Sequence, residues 1–277
     1  MLKDPLLKKA SNVREKGADI GRGTKAISAN TCLTPTMVGF LASVGLTQVM
    51  VFPRPRVGIL VTGNELQTPG KSLSFGQVYE SNSFSLRAAL KQLHIESIEI
   101  RQSLDDINQL SSQLSDLINQ SDLILMVGGV SVGEYDFTVD AFKQAGVDIL
   151  FHKIRQKPGK PLLFGKKDKK LVFGLPGNPG SVMTCFYEYV VPAIGYLTKQ
   201  VLALEMLEVP LETDFQKPAG LAFFQKAYFN KQTVSFGTGQ ESFKLSGFVH
   251  ANCLAYIPEN ITSLKAGEMV TIHLLSS

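Results

Sequence analysis

Two runs of apolar residues in this chain each stop on glycine: VGILVTG at 57–63 and LILMVGG at 123–129. Short, continuous hydrophobicity bounded by glycine reads as a strand covered on both faces, because a half-exposed strand would alternate. The segments around them have other periods. Ser83 to Leu93 has apolar or small residues at helical spacing, and IESIEI at 95–100 alternates like a strand. From Asp105 to Asn119, Ile107, Leu110, Leu114 and Leu117 recur every three to four positions behind acids in the first turn, a helix with a start signal. A helix at about 138–145, strands near 148–154, 162–165 and 171–175, and a helix from Ser181 to about Leu197 continue the series. Strands alternating with helices predict an α/β fold: a three-layer α/β/α domain around a mostly parallel sheet.

The flanks differ from this centre. Residues 1–54 contain GADIGRGT and a short apolar helix, Met37 to Val44, closed by Gly45. Residues 198–277 read as short strands with turn punctuation, in TVSFGTG, FVHANCLAYIP and GEMVTIHLL, and predict a small all-β domain. The expected organisation is therefore 1–54, 55–197 and 198–277, a length that supports unequal domains with a real core.

Several function classes are disfavoured. No apolar run is long enough to span a bilayer, and MLKDPLLKKAS has no apolar stretch of the kind a secretory signal needs, so a cytoplasmic protein is expected. Cys32, Cys185 and Cys253 are odd in number and lack metal-ligand spacing; reduced, unpaired thiols are the expectation. The net charge of +4 is uneven, with Lys153, Arg155, Lys157, Lys160, Lys166, Lys167, Lys169 and Lys170 facing one acid, Asp168, across 153–170. No aromatic interleaving or recognition helix accompanies these cations, so a smaller anionic ligand is expected rather than nucleic acid. The lysines at 166–170 read as a solvated hairpin turn.

In a parallel sheet, ligands collect beyond the carboxyl ends of the strands. VTGNEL puts Glu65 just past the first strand, SLDDIN puts Asp105 and Asp106 past the second, and GGVSVGEYD puts Gly128, Gly129, Ser131, Glu134 and Asp136 past the third. Three acidic turns at one sheet edge suit a hard cation such as Mg²⁺, which keeps waters and bridges to phosphates. The plainer alternatives are that Asp105 is a helix N-cap and Glu134 a surface acid. RQKPGKP at 155–161 holds Lys157 and Lys160 in a rigid turn, from which both ammonium groups can reach an oxyanion. GLPGNPGS at 174–181 leads into a helix, where free N–H groups and the Ser181 hydroxyl suit an anion; the alternative is a turn with Ser181 as N-cap. Neither GxxxxGK[ST] nor a dinucleotide fingerprint is present.

TGNEL, YESNS at 79–83, SLDDI, GGVSVGEYD, KPGKP and GLPGNPGS occur in this order and spacing. The series resembles the molybdopterin molybdenumtransferases, the molybdenum insertases that include the C-terminal part of gephyrin. GADIGRG and PTMVGFLASVGLTQV resemble the stretch preceding the central domain there, so the likeness covers roughly residues 14 to 275. GGVSxG alone would also fit the related molybdopterin adenylyltransferases, a class that generally lacks the C-terminal β domain.

The resemblance implies an enzyme that takes adenylylated molybdopterin and molybdate, releases AMP with Mg²⁺ help and leaves the metal on the dithiolene; molybdenum and tungsten are not distinguished. It implies metal-associated catalytic carboxylates at Glu65, Asp105 and Asp136. It implies substrate contacts at Asn82, Gly128, Gly129, Ser131, Lys157, Lys160 and Ser181. The centre would be the molybdopterin-binding α/β/α domain and residues 198–277 a β-barrel. A homodimer and contact with the molybdopterin adenylyltransferase are the implied partners. Asn64 departs from the aspartate of TGDEL, and GQESFKLSG at 239–247 from a turn that usually reads QGSG. Full-length relatives carry a substantial segment before the region matching Gly17, so an N-terminally shortened form with weak insertion is expected. The alternative is a molybdopterin-binding or scaffold protein.

Overall fold

The computed structural model describes residues 8–11, 13–129 and 137–275, in two compact units divided after Phe52. Ser131, Glu134 and Asp136 lie outside the described residues. In the first unit the apolar helix α1 spans Pro35–Ser43. It starts two residues before the sequence expectation because Thr34 caps it, accepting from the Met37 N–H at 3.3 Å, with proline in its first turn. None of its residues is buried within the unit.

The second unit starts with β1 (Val57–Thr62), the short pair β2 (Leu66–Gln67) and β3 (Val78–Tyr79), α2 (Asn82–Gln92) and β4 (Ile98–Ser103). Next come α3 (Ile107–Gln120), β5 (Leu123–Val127), α4 (Phe137–Gln144), β6 (Asp148–His152) and β7 (Gln156–Lys157). The hairpin β8 (Leu163–Lys167) and β9 (Lys170–Leu175) precedes α5 (Pro179–Cys185), a π-helical stretch Phe186–Val190 and α6 (Val191–Thr198). The remaining elements are β10 (Met206–Pro210), β11 (Phe215–Gln216), β12 (Ala222–Phe229), β13 (Val234–Phe236), α7 (Ser246–Val249), β14 (Cys253–Ile257), β15 (Ser263–Leu264) and β16 (Met269–Leu274).

The central sheet runs β4-β1-β5-β9-β8-β6. Its first four strands are parallel, while β8 and β6 join antiparallel at the far edge. β1 and β5 are buried at every residue, which is why they read as unbroken apolar runs. One face packs Leu86 and Leu90 of α2 with Val182, Phe186 and Ile194; the other packs Leu110, Leu114 and Leu117 of α3 with Phe142 of α4. The three-layer expectation holds.

After residue 205, β10-β16-β14-β12-β13 form a sheet in that order, and β11 and β15 pair separately. Leu211, directly after β10, bridges Val234 in β13, so the two edges meet and the sheet closes as a small barrel. Its interior packs Val209, Phe223, Val234, Cys253, Ile257 and Ile272. β7 leaves the central sheet's path and pairs in parallel with β12, tying the barrel to the α/β layers. Among the described residues no helix is long and apolar enough to cross a membrane, and all three cysteines are free.

Three local expectations are corrected. Asp106, not Asp105, caps α3, its Oδ1 accepting from the Gln109 N–H at 2.8 Å. The last long helix starts at Pro179 behind Asn178, so Ser181 lies inside its first turn and is not an N-cap. The 166–170 turn is not wholly solvated. Lys167 Nζ donates to Ala145 O at 2.6 Å and Lys170 Nζ to Ile118 O, setting two cations on carbonyls at helix C-terminal ends.

Candidate functional site

From β1 the chain goes first to β4 on one side and then crosses back to β5 on the other, so the topological switch lies between β1 and β5. Thr62 ends β1 at this point and is buried. Its carbonyl lies 2.3 Å from where a Cβ on Gly128 would sit, and its methyl 3.3 Å from one on Gly129. With φ of +94° and +70°, these residues take left-handed conformations that favour glycine, so the chain turns sharply off β5 directly above β1. Thr138 Oγ1 donates to Gly128 O at 3.2 Å, and the Gly128 N–H to Leu175 O at 3.2 Å, fixing this turn against α4 and β9.

The turns past β1 and β4 are brought together. Thr62 Oγ1 donates to Asp105 Oδ1 at 2.6 Å, and the Asp105 N–H donates to Asn64 Oδ1 at 3.2 Å. Asn64, the departure from TGDEL, thus joins the two turns through its side-chain oxygen. Glu65 is exposed, with its carboxylate folded over Gly63, 2.9 Å from where a Cβ would lie. Among the described residues, Asp105 Oδ2 and both Glu65 carboxylate oxygens carry no hydrogen bond. Among the described residues no cluster of three His, Cys, Asp or Glu side chains is poised as a metal cage. Free carboxylate oxygens on two adjoined turns are the donor chemistry of a partly hydrated Mg²⁺ site.

The YESNS turn does structural work as well. Glu80 is buried and accepts from the Ser83 N–H at 2.8 Å and the Ser83 hydroxyl at 2.5 Å, capping α2 from outside where Ser81 makes no cap bond. Asn82 is buried in the first turn of α2, and its Nδ2 donates to Gly177 O at 2.8 Å, lacing that helix start to the turn past β9. A Cβ on Gly177 would sit 3.7 Å from Gly128 Cα, so the turns past β9 and β5 adjoin.

The cationic turn sits elsewhere, on the strip that β7 lends to the barrel. Lys157 and Lys160 are exposed while Pro158 and Gly159 between them are buried. Lys157 Nζ lies 5.3 Å over the Phe223 ring, and neither lysine has an ion pair among the described residues. Among the described residues no hydrogen bond joins this turn to Glu65, Asp105, Asn82 or Ser181. Ser181 is buried in the first turn of α5, where the Gly180 N–H already donates to Ser242 O at 2.9 Å. Asn178 Nδ2 adds a 2.9 Å bond to Ser242 Oγ, so the 239–247 loop is seated on the start of α5.

Lys226 in β12, which sequence reasoning did not single out, holds that loop from below. It is 2% exposed, and its ammonium donates to Glu241 O at 3.2 Å and Lys244 O at 3.0 Å. Burial pulls its pKa below the usual lysine value. Thr62, Glu80 and Gln156 were likewise missed; a polar residue at the end of an apolar run and a lysine inside a strand were the available signals.

Known proteins share this architecture. Residues 58–196 match the family described as a probable molybdopterin binding domain, and 208–275 the MoeA C-terminal region, domain IV. A molybdopterin molybdenumtransferase of Haemophilus influenzae is 35% identical over 98% of this chain and 69% of that protein. One of Staphylococcus aureus is 28% identical over 97% and 65%, and molybdopterin molybdenumtransferase 2 of Mycobacterium tuberculosis 31% over 94% and 66%. The chain thus spans about two thirds of these relatives' length. The crystal structure of the molybdopterin biosynthesis MoeA protein from Pyrococcus horikoshii superposes with a TM-score of 0.79 at 28% identity, covering 94% of this chain and 64% of that one. Matched by one family model across its α/β layers and by another across its barrel, and sharing 35% of residues with a curated relative, this chain belongs to the molybdopterin molybdenumtransferase family.

Proposed function

We propose that the chain takes part in molybdenum cofactor biosynthesis as an enzyme, transferring molybdenum from molybdate to adenylylated molybdopterin with release of AMP. The family supports the reaction class, and one observation supports the site. A threonine at the switch point fixes Asp105, and the turn that follows it carries Glu65, whose oxygens are unengaged among the described residues. In this reading Glu65 and Asp105, with Asp136, hold Mg²⁺, which when bound neutralises charge at the phosphate oxygens. Gly128 and Gly129, lacking side chains, let the substrate approach the backbone, and Ser131 and Asn82 contact it. Lys157, Lys160 and Ser181 receive molybdate or the pterin phosphate, two ammonium groups acting as point charges. The pterin substrate, a homodimer and contact with the adenylyltransferase belong to the same proposal, carried by the family likeness.

The test is incubation of the purified chain with adenylylated molybdopterin, Mg²⁺ and molybdate while AMP is measured. The wild type should release AMP. Asp105→Asn keeps an oxygen that can accept from Thr62 but loses the charge, so AMP release should fall about 10²-fold, roughly 2.7 kcal/mol, with an unchanged melting temperature. No AMP from the wild type, or near wild-type turnover in the Asn variant, would overturn the reading.

A further inference from the structure

The turn bearing Lys157 and Lys160 is shaped by Gln156, directly before it, and by residues of the distant stretch 185–189. Gln156 is 3% exposed, and a buried amide is costly unless both its ends are bonded. Its Nε2 donates to Pro158 O at 2.8 Å, inside the turn itself, and its Oε1 accepts from the Tyr189 hydroxyl. The Pro158 carbonyl can only accept, so Nε2 must face it, and Oε1 is left to accept from the Tyr189 hydroxyl.

The inner wall of the turn is equally constrained. Gly159 has φ +98°, and a Cβ there would lie 2.6 Å from Cys185 Sγ and 2.8 Å from Gln156 Nε2. On the outside, the Ile154 N–H donates to Lys160 O at 2.8 Å. Tyr189 belongs to the π-helical stretch between α5 and α6, where the widened turn shifts the side-chain register. Behind it β7 is paired with β12, with Lys157 opposite Phe223.

We propose that Gln156 and Tyr189 are positioning residues: they set where Lys157 and Lys160 present their ammonium groups, and thereby the affinity of that turn for a tetrahedral oxyanion. This rests on the reading of the turn as the oxyanion holder. The alternative, that the amide and phenol only fill the seam between barrel and helix, predicts a loss of stability without a change in anion affinity.

The experiment is calorimetric titration of the purified chain with sodium molybdate at several salt concentrations, with melting temperatures recorded alongside. Tyr189→Phe removes one oxygen, and Gln156→Leu removes the amide at similar size. Each should weaken molybdate binding roughly tenfold, the size found when outer partners of a binding group are removed. Both should keep the wild-type salt dependence, since both ammonium charges remain. Lys157→Gln with Lys160→Gln should lose more affinity and most of the salt dependence. If the lysine variant binds like wild type, or wild type binds no molybdate, the oxyanion reading fails and this inference with it. If the lysine variant is weakened while Tyr189→Phe is not, the positioning role alone is overturned. Should Gln156→Leu fail to fold, Tyr189→Phe decides between these outcomes.

Discussion

Gly128 concentrates the demands that the site makes on single residues. Its φ of +94° costs an L-residue about 1–3 kcal/mol where the surroundings hold the backbone in place. Here a Cβ would also stand 2.3 Å from the Thr62 carbonyl, a backbone atom at the end of a buried strand that has no rotamer by which to escape. Gly128→Ala should therefore lower the melting temperature and displace the β5 turn from β1, with AMP release lost together with stability. Gly177→Ala is the control: its nearest neighbour would be 3.7 Å away, ordinary contact, and its melting temperature should move much less. Equal effects in thermal melts would contradict the steric argument. The turn at Gly128 and Gly129 was legible from sequence, because a run of buried residues ending in glycine announces a turn. Which of Asp105 and Asp106 caps α3 was not. The two are adjacent and chemically alike, and only the Thr62 hydroxyl at 2.6 Å on one and the Gln109 N–H at 2.8 Å on the other separate their roles.

Elements were readable where burial imposed a pattern and unreadable where two surfaces shared a strand. β1 and β5 are covered on both faces and showed as apolar runs. β12 is also buried on both faces, yet one of the residues so buried is Lys226, so AFFQKAYF neither alternates nor stays apolar and gave no strand signal. The π-helical stretch left no trace either, since an extra residue in a helical turn does not disturb a sequence that is apolar on several sides. At the opposite end of the central strands, the Arg56 N–H and guanidinium converge on Asp122, at 2.9 Å and 3.1–3.2 Å, joining the approaches to β1 and β5. The Arg56 side-chain bond holds the Asp122 carboxyl below its ordinary pKa. A folded-state pKa that is depressed gives stability that is present above the unfolded value, about 3.9, and lost as pH falls through the folded one. Asp122→Asn should thus melt below wild type at pH 7, and the gap should close as the pH drops below about 4. The pair is partly exposed, so the gap should be small and shrink in high salt. A gap that widened in acid would refute the linkage.

At the scale of residues 53–277, the α/β layers and the barrel meet through a few polar ties. They include the β7–β12 ladder, the Gly180–Ser242 bond and a pair that neither half reveals by itself, Glu188 of the π-helical stretch with His273 of β16. Their side chains are 10% and 8% exposed, and His273 Nδ1 lies 2.9 Å from both Glu188 carboxylate oxygens. The imidazole also stacks on Tyr256 and meets Phe224 edge-on, which holds its ring in place. The two residues lie 85 apart in sequence, in segments whose patterns concern separate cores, so their pairing was invisible before the fold was known. The two substitutions should not be equivalent. Glu188→Gln keeps a side-chain oxygen for the Nδ1–H and removes the buried charge, so it should cost little. His273→Ala leaves the carboxylate buried without its donor and opens the ring stack, which should cost about 3–5 kcal/mol. For a unit of this size that corresponds to a fall of roughly 6–20 °C in melting temperature. Scanning calorimetry of both variants checks the order; a Glu188→Gln loss as large as that of His273→Ala would mean that the junction depends on the charge pair itself rather than on keeping the carboxylate partnered.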